Sequence, residues 1–223
     1  MSYLKSIQNN TNPVTVDSEI IYELVVSLKT TTKELILKAH TLYIKDTSIQ
    51  KSTDEETITA CIYGKLKTLV DLEQYCTIEV VAEPRQYEHI HTTGILNPKT
   101  AKRLDLYFTH FSSVQTRKFR FIVEAKVLCQ KNIGTRNAND LQNKYVTKNG
   151  MGRFINGDFK HEGFMLGYLL NGTEKIMIDD LNKIILNQYT SNHTIENLQR
   201  GYVSKYSIDG KTTELYHILV NLN

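Results

Sequence analysis

Glu124 and Lys126 stand two residues apart in RFIVEAKVL (residues 120–128), a segment otherwise dominated by Phe, Ile, Val, Ala and Leu. A strand turns successive side chains to opposite faces, so these two charges share one face and Ala125 points the other way. Asp105 comes earlier, with 18 residues between it and Glu124, in RLDLYF (103–108). There Leu104, Leu106 and Phe108 alternate with Arg103, Asp105 and Tyr107. Antiparallel pairing of the two strands would bring both acids to one end of a sheet. Two carboxylates held close repel each other and tend to keep a proton unless a cation sits between them. A hard, oxygen-preferring ion such as Mg²⁺ suits that position, with Mn²⁺ as its expected substitute. An ammonium beside it can orient an attacking water or offset charge on a pentavalent phosphate. Metal, carboxylates and lysine together describe phosphodiester hydrolysis. A plain surface ion pair is the competing account, but such a pair contributes little, and this strand is too apolar to be comfortably solvated.

The elements that must hold these residues follow from periodicity. Ile20, Ile21, Leu24, Val25 and Leu28 recur at helical spacing, as do Leu35, Ile36, Ala39, Leu42 and Tyr43; the TTT at 30–32 interrupts them. One broken helix or two helices are expected there. In STDEETITACIYGKLKTLVDL, Ser52 or Thr53 begins a helix with Glu55 or Glu56 three residues on, a capping-box pattern. Ile58, Cys61, Ile62, Leu66 and Leu69 form its inward stripe, and the helix is expected over 54–72. The period then falls to two: strands are expected over 75–81, 103–108 and 118–128. A helix through Leu141, Tyr145 and Val146 follows, starting at Asn139 or Asp140 and interrupted near Gly150 and Gly152. A strand over 164–170 and a helix over 173–188 come next. YVSKYSI, the Asp209-Gly210 turn and LYHILVNL predict a terminal hairpin. The order predicts an α/β protein with a mixed central sheet flanked by helices. Residues 1–50 read as a helical region packed on the core and 51–223 as the domain proper with its β extension.

Charge is uneven. The chain of 223 residues carries a net +3, but residues 99–153 hold 12 Lys and Arg against three acids. That block is therefore +9 and the remainder −6, the pattern of a face that meets a polyanion. No apolar run approaches the roughly 20 residues a membrane helix needs, and the N-terminus has no apolar signal core. A cytoplasmic protein with no membrane partner is expected. Cys61, Cys76 and Cys129 are odd in number and widely spaced, which argues against a disulfide framework or a structural zinc site. Gly210-Lys211-Thr212 lacks the glycine five residues earlier that a phosphate loop needs. His89 and His91 have zinc-like spacing without supporting ligands.

Asp105, 18 residues, then Glu124-Ala125-Lys126 resembles the D…(D/E)-x-K signature of the PD-(D/E)XK nuclease superfamily, with its restriction-endonuclease-like fold. The resemblance spans residues 54–170 and departs at Leu104, where the superfamily's name letter is proline. It implies metal-dependent cleavage of DNA, RNA being a second polyanion the residues do not reject. Asp105 and Glu124 would be metal ligands and Lys126 the catalytic lysine. A further ligand comes in many members from the preceding helix; Glu55, three residues before Ile58, is favoured, with Glu56 the other choice and capping an alternative explanation for either. Lys102, Arg103, Lys144 and Arg153 are the expected phosphate contacts, which position a nucleic acid without reading its sequence. Gln142 reads as ordinary helix surface, and Arg153 could instead belong to a turn with packing aromatics. By analogy with the superfamily, prokaryotic antiviral defence or DNA processing is the expected setting. A homodimer, an accessory role in a defence complex, and a non-cleaving nucleic-acid-binding subunit are left open.

Overall fold

The computed structural model describes residues 18–46, 54–72, 77–83, 85–86, 102–111, 118–159, 161–199 and 201–222. His89, His91, Tyr75, Cys76, Ser52 and Thr53 lie outside them. The first described elements are two helices, α1 (Ser18–Asp46) and α2 (Glu55–Leu72). Strands β1 (Ile78–Ala82), β2 (Arg85–Gln86), β3 (Lys102–Arg103), β4 (Leu106–Phe111) and β5 (Lys118–Leu128) follow. Next come α3 (Ala138–Val146), the short α4 (Gly152–Ile155), β6 (Glu162–Leu169) and α5 (Glu174–Gln188). The last strands are β7 (Glu196–Leu198), β8 (Gly201–Ile208) and β9 (Lys211–Asn221).

Seven strands form one sheet in the order β1-β4-β5-β6-β9-β8-β7. β1, β4 and β5 are antiparallel neighbours, β5 and β6 are parallel across the α3 crossover, and β6 and β9 are parallel again. The mixed α/β architecture agrees with the alternation read from sequence. β5 is buried along both faces because each face is roofed. Phe121, Val123, Ala125 and Val127 pack with α1 and α2, through Leu35, Ile36, Ile58, Ile62 and Leu66. Ile122 and Leu128 point the other way and pack with Tyr145 of α3, Phe154 of α4 and Leu181 of α5. Such two-sided burial explains the near-continuous apolar run of the strand. The terminal hairpin forms as expected: Asp209 (φ 49°) and Gly210 (φ 76°) both adopt the left-handed conformation that a two-residue turn between twisted strands requires.

Several expectations are corrected. α1 is one continuous helix, not a broken one. The hydroxyls of Thr30, Thr31 and Thr32 donate to the carbonyls of Val26, Ser27 and Leu28 (3.0–3.1 Å), so these residues satisfy themselves inside the helix. Thr32 is buried and also bonds the His110 Nε2 at 2.8 Å, which fixes α1 to β4. α2 is capped by Asp54, whose carboxylate accepts from the Thr57 N–H (2.8 Å) and hydroxyl (2.9 Å); the expected caps Ser52 and Thr53 lie outside the described residues. Cys61 is exposed and does not belong to the inward stripe. α3 starts earlier, at Ala138, because the Asn137 side chain accepts from the Asp140 N–H. Gln142 is buried, its amide donating to the Cys129 carbonyl at 3.1 Å, and is not helix surface. Strand β7 was not expected at all; it adds a short edge beyond β8.

Candidate functional site

The site sits where two strands part. β4 and β5 pair from Phe111↔Lys118 to Leu106↔Val123 and then separate. Asp105 occupies the bend just before β4, between β3 and β4, and its carbonyl accepts from the Glu83 N–H at 3.0 Å. The expected strand over 103–108 is therefore two pieces with Asp105 at the break. Beyond Val123 the edge of β5 that faced β4 has no strand partner among the described residues, and its backbone groups need another one. Two carboxylates supply it. Asp105 Oδ2 accepts from the Ala125 N–H at 2.6 Å, and Glu55 Oε2 accepts from the Val127 N–H at 3.1 Å. Glu55 arrives there because it opens α2, where the helix dipole also favours an acid. Thr59 holds that first turn in place, its hydroxyl donating to the Glu55 carbonyl (2.8 Å) and bonding Tyr168 Oη of β6 (3.0 Å).

Lys126 leaves β5 on the α3–α4 face and turns around the open edge. Its ammonium reaches Glu124 Oε1 (2.9 Å), Glu55 Oε1 (3.1 Å), Asp105 Oδ2 (3.7 Å) and the Ala125 carbonyl (2.5 Å). Arg153, on α4, donates to the other oxygen of Glu124 at 2.7 Å and lies over the Phe159 ring, 4.2 Å from its centroid. Glu124 is only 2% exposed. Burial pushes its carboxyl up to about 6, with Asp105 acting in the same sense and Lys126 and Arg153 opposing. It is ionised at neutral pH. Burial works against the charged form of Lys126, but Glu124, Asp105 and Glu55 outweigh it and hold the ammonium above its ordinary value.

The structure thus brings together Asp105, Glu124, Lys126 and Glu55, four residues named from sequence; Glu56 also lines the neighbouring cleft. That cleft, about 430 Å³, is further lined by Arg136, Lys144 and Asn149. Lys144, named from sequence as a phosphate contact, lines this cleft. Arg153 does not reach out as a free phosphate ligand here; it is tied to Glu124 and Phe159. Lys102 and Arg103 form β3 against β2, and their side chains lie outside the described residues. Arg136 was missed. Its position just before the Asn137 cap, in the loop that leaves the lysine strand, was the available signal. That loop is pinned by Asn171, whose Oδ1 accepts from the Gln130 and Lys131 N–H groups.

Three carboxylates and a backbone carbonyl, donors of the kind a hard divalent cation takes, surround the Lys126 ammonium at 2.5–3.7 Å. Among the described residues, however, no group of three or more His, Cys, Asp or Glu stands in ligand geometry. The Lys126 ammonium takes the place between the acids. No helix among the described residues is long and apolar enough to cross a membrane. Comparison with protein-family models, with curated proteins and with solved structures finds no match to this chain.

Proposed function

We propose that this chain is a metal-dependent nuclease that hydrolyses phosphodiester bonds of DNA on a restriction-endonuclease-like core. One observation carries the reading. Three acids and one lysine converge on the edge of β5 that β4 leaves, beside a cleft whose lining includes Arg136 and Lys144. The order helix, antiparallel β1-β4-β5, helix and parallel β6 around that edge supports it. Asp105 and Glu124, with Glu55 as a third, are the residues that would hold Mg²⁺ or Mn²⁺. Bound there, the ion would lower the pKa of a coordinated water and offset phosphate charge.

The protein's own groups do the rest. The Ala125 and Val127 amides clamp Asp105 and Glu55, so those carboxylates need little reordering on binding. Lys126 is held as an ammonium and has no lone pair to take a proton. It acts by donating hydrogen bonds, to the attacking water or to a non-bridging phosphate oxygen, as charge develops. Lys144 and Arg136 face the cleft where a flanking phosphate would lie. Prokaryotic defence or DNA processing is the setting proposed with this activity, and double-strand cleavage by a one-site subunit would favour a homodimer.

A plasmid-nicking assay in Mg²⁺ and Mn²⁺ tests the proposal, with Asp105→Ala and Lys126→Ala as controls. Metal-dependent nicking lost in both supports it. Nicking that survives both overturns the site. A second reading has an observation of its own: both oxygens of Glu124 are already taken by Lys126 and Arg153. A partner-dependent or non-cleaving nucleic-acid-binding subunit would keep the network closed in this way. DNA binding by a wild-type protein that neither nicks nor takes up Mn²⁺ would favour that reading. Competition between DNA and RNA duplexes settles which polyanion is preferred.

A further inference from the structure

Resting on the nuclease reading, we infer that Arg153 is an internal counter-cation, the group that an incoming divalent ion must release from Glu124. Glu124 is nearly inaccessible, and a carboxylate so placed must be paired in every state of the protein. With no ion bound, the pairing is complete: Oε1 meets Lys126 at 2.9 Å and Oε2 meets Arg153 at 2.7 Å. An ion that takes Glu124 as ligand competes with both. Lys126 keeps the Ala125 carbonyl as a partner when it shifts, while Glu55 and Asp105 would be shared with the ion. Arg153 has its stacking place over Phe159 to retain its side chain once the Glu124 bond is given up.

Its carrier, α4, is packed in place: Gly150 and Gly152 lie against the backbone of α3's C-terminal turn, around Tyr145 and Thr147, and Met151 and Phe154 are buried, so the release is a movement of the Arg153 side chain alone. The guanidinium emerges on the same face as Glu124 and, once released, is a planar donor beside the place a scissile phosphate would occupy. Metal occupancy and phosphate binding are then coupled through one side chain. Arg153 is a positioning residue under this inference, acting through Glu124 before it meets substrate.

The test is Mn²⁺ binding, followed by calorimetry on wild type, Arg153→Gln and Arg153→Lys, without DNA. Arg153→Gln removes the competitor, and affinity for Mn²⁺ should rise about tenfold, the equivalent of one hydrogen bond to a charged group. Arg153→Lys should fall between it and wild type. A residue that merely orients a ligand behaves oppositely: its loss weakens metal binding by about 10–100-fold. Unchanged or weakened Mn²⁺ binding by a folded Arg153→Gln protein would therefore overturn the inference while leaving the nuclease reading intact. Failure of wild type and Arg153→Gln alike to take up Mn²⁺ sinks both readings together. If the glutamine variant does not fold, wild type alone suffices. The ¹⁵N resonance of Arg153 Nε, assigned through Arg153→Lys, should move on titration with Mg²⁺. A resonance that stays fixed at saturation counts against the release.

Discussion

Replacing Lys126 with methionine keeps most of the side-chain volume and removes one charge, and the structure gives the consequence. The ammonium stands within 4 Å of three carboxylates, its side chain is 11% exposed, and that of Glu124 is 3% exposed. Taking one partner out of a buried ion pair costs about 3–5 kcal/mol, because the other charge is left behind. Arg153 still holds one oxygen of Glu124, and the side chains of Glu55 and Asp105, 35% and 23% exposed, can be partly hydrated. The lower end, about 3 kcal/mol, is therefore expected. For a chain of this length that is a fall of about 6–12 °C in Tm, read by circular dichroism in EDTA. Divalent cation should then restore stability. An ion at one hundred times its Kd adds about 2.7 kcal/mol, and the variant has no ammonium to displace, so Mg²⁺ should raise its Tm more than that of wild type. Unfolding of Lys126→Met within about 2 °C of wild type in EDTA would refute the electrostatic reasoning. A loss that Mg²⁺ leaves untouched would show that the vacated space is no cation site.

Acid should unfold the protein through two buried histidines. Burial lowers His217 to about 3 and His110 to about 4 from 6.5, so the folded state stays neutral while the unfolded chain takes protons below 6.5. Stability is fully present above pH 6.5 and falls on acidification by about 1.4 kcal/mol per unit per histidine. Near pH 5 the loss is about 4 kcal/mol for the pair, and His217→Gln should roughly halve the slope of Tm against pH. Glu124 contributes in the opposite sense: its raised value costs stability above its unfolded value, and that cost is relieved as pH falls through about 6. For the proposed activity the direction of that shift means that Mn²⁺ uptake by the protein should weaken on acidification, as Glu124 is protonated sooner than an exposed glutamate; calorimetric Mn²⁺ affinity that does not fall with pH would contradict it. Gly167 packs β6 between Leu219 and Leu128, which an added Cβ would meet at 2.5 and 2.7 Å. Gly167→Ala should cost about 1–3 kcal/mol by overpacking, seen as a lower urea midpoint with an unchanged m-value.

How much of this was legible depended on whether the cause was local. The β5 strand and its pair of charges could be read because acid and base interrupt an apolar run, and Asp105 because it takes a polar position in the alternation of RLDLYF upstream. The Asp-Gly turn carries its own backbone requirement and was read for the same reason. The threonine triplet was misread because three polar β-branched residues look like a break; nothing local tells that Thr32 will be buried against His110, 78 residues on. Periodicity likewise cannot say where β4 stops pairing with β5, and that point decides which amides Asp105 and Glu55 serve. The Arg153–Glu124 pair, 29 residues apart on different elements, exists only once α4 packs on the sheet. Capping by Asp54 was hidden by two equally good candidates next to it.

The parting of β4 from β5 gives Asp105 and Glu55 two duties each. Each is an acid aimed at the same small volume, and each stands in for a missing strand by accepting a β5 amide. Removing the carboxylate therefore conflates two effects: loss of charge and an orphaned N–H, the latter worth about 1–3 kcal/mol if it stays buried. Asp105→Asn separates them, because an amide oxygen can still accept from Ala125 while the negative charge is gone. A site built on such a strand edge is coupled to the fold in this sense: the groups that finish the sheet's hydrogen bonding are the ones the proposed chemistry would use. Lys126 closes the arrangement. Its ammonium satisfies the Ala125 carbonyl on the same edge while neutralising the acids that satisfy the amides. Three acids so close need a positive charge among them; the protein's own cations supply it, and under the proposed function a divalent ion would take their place.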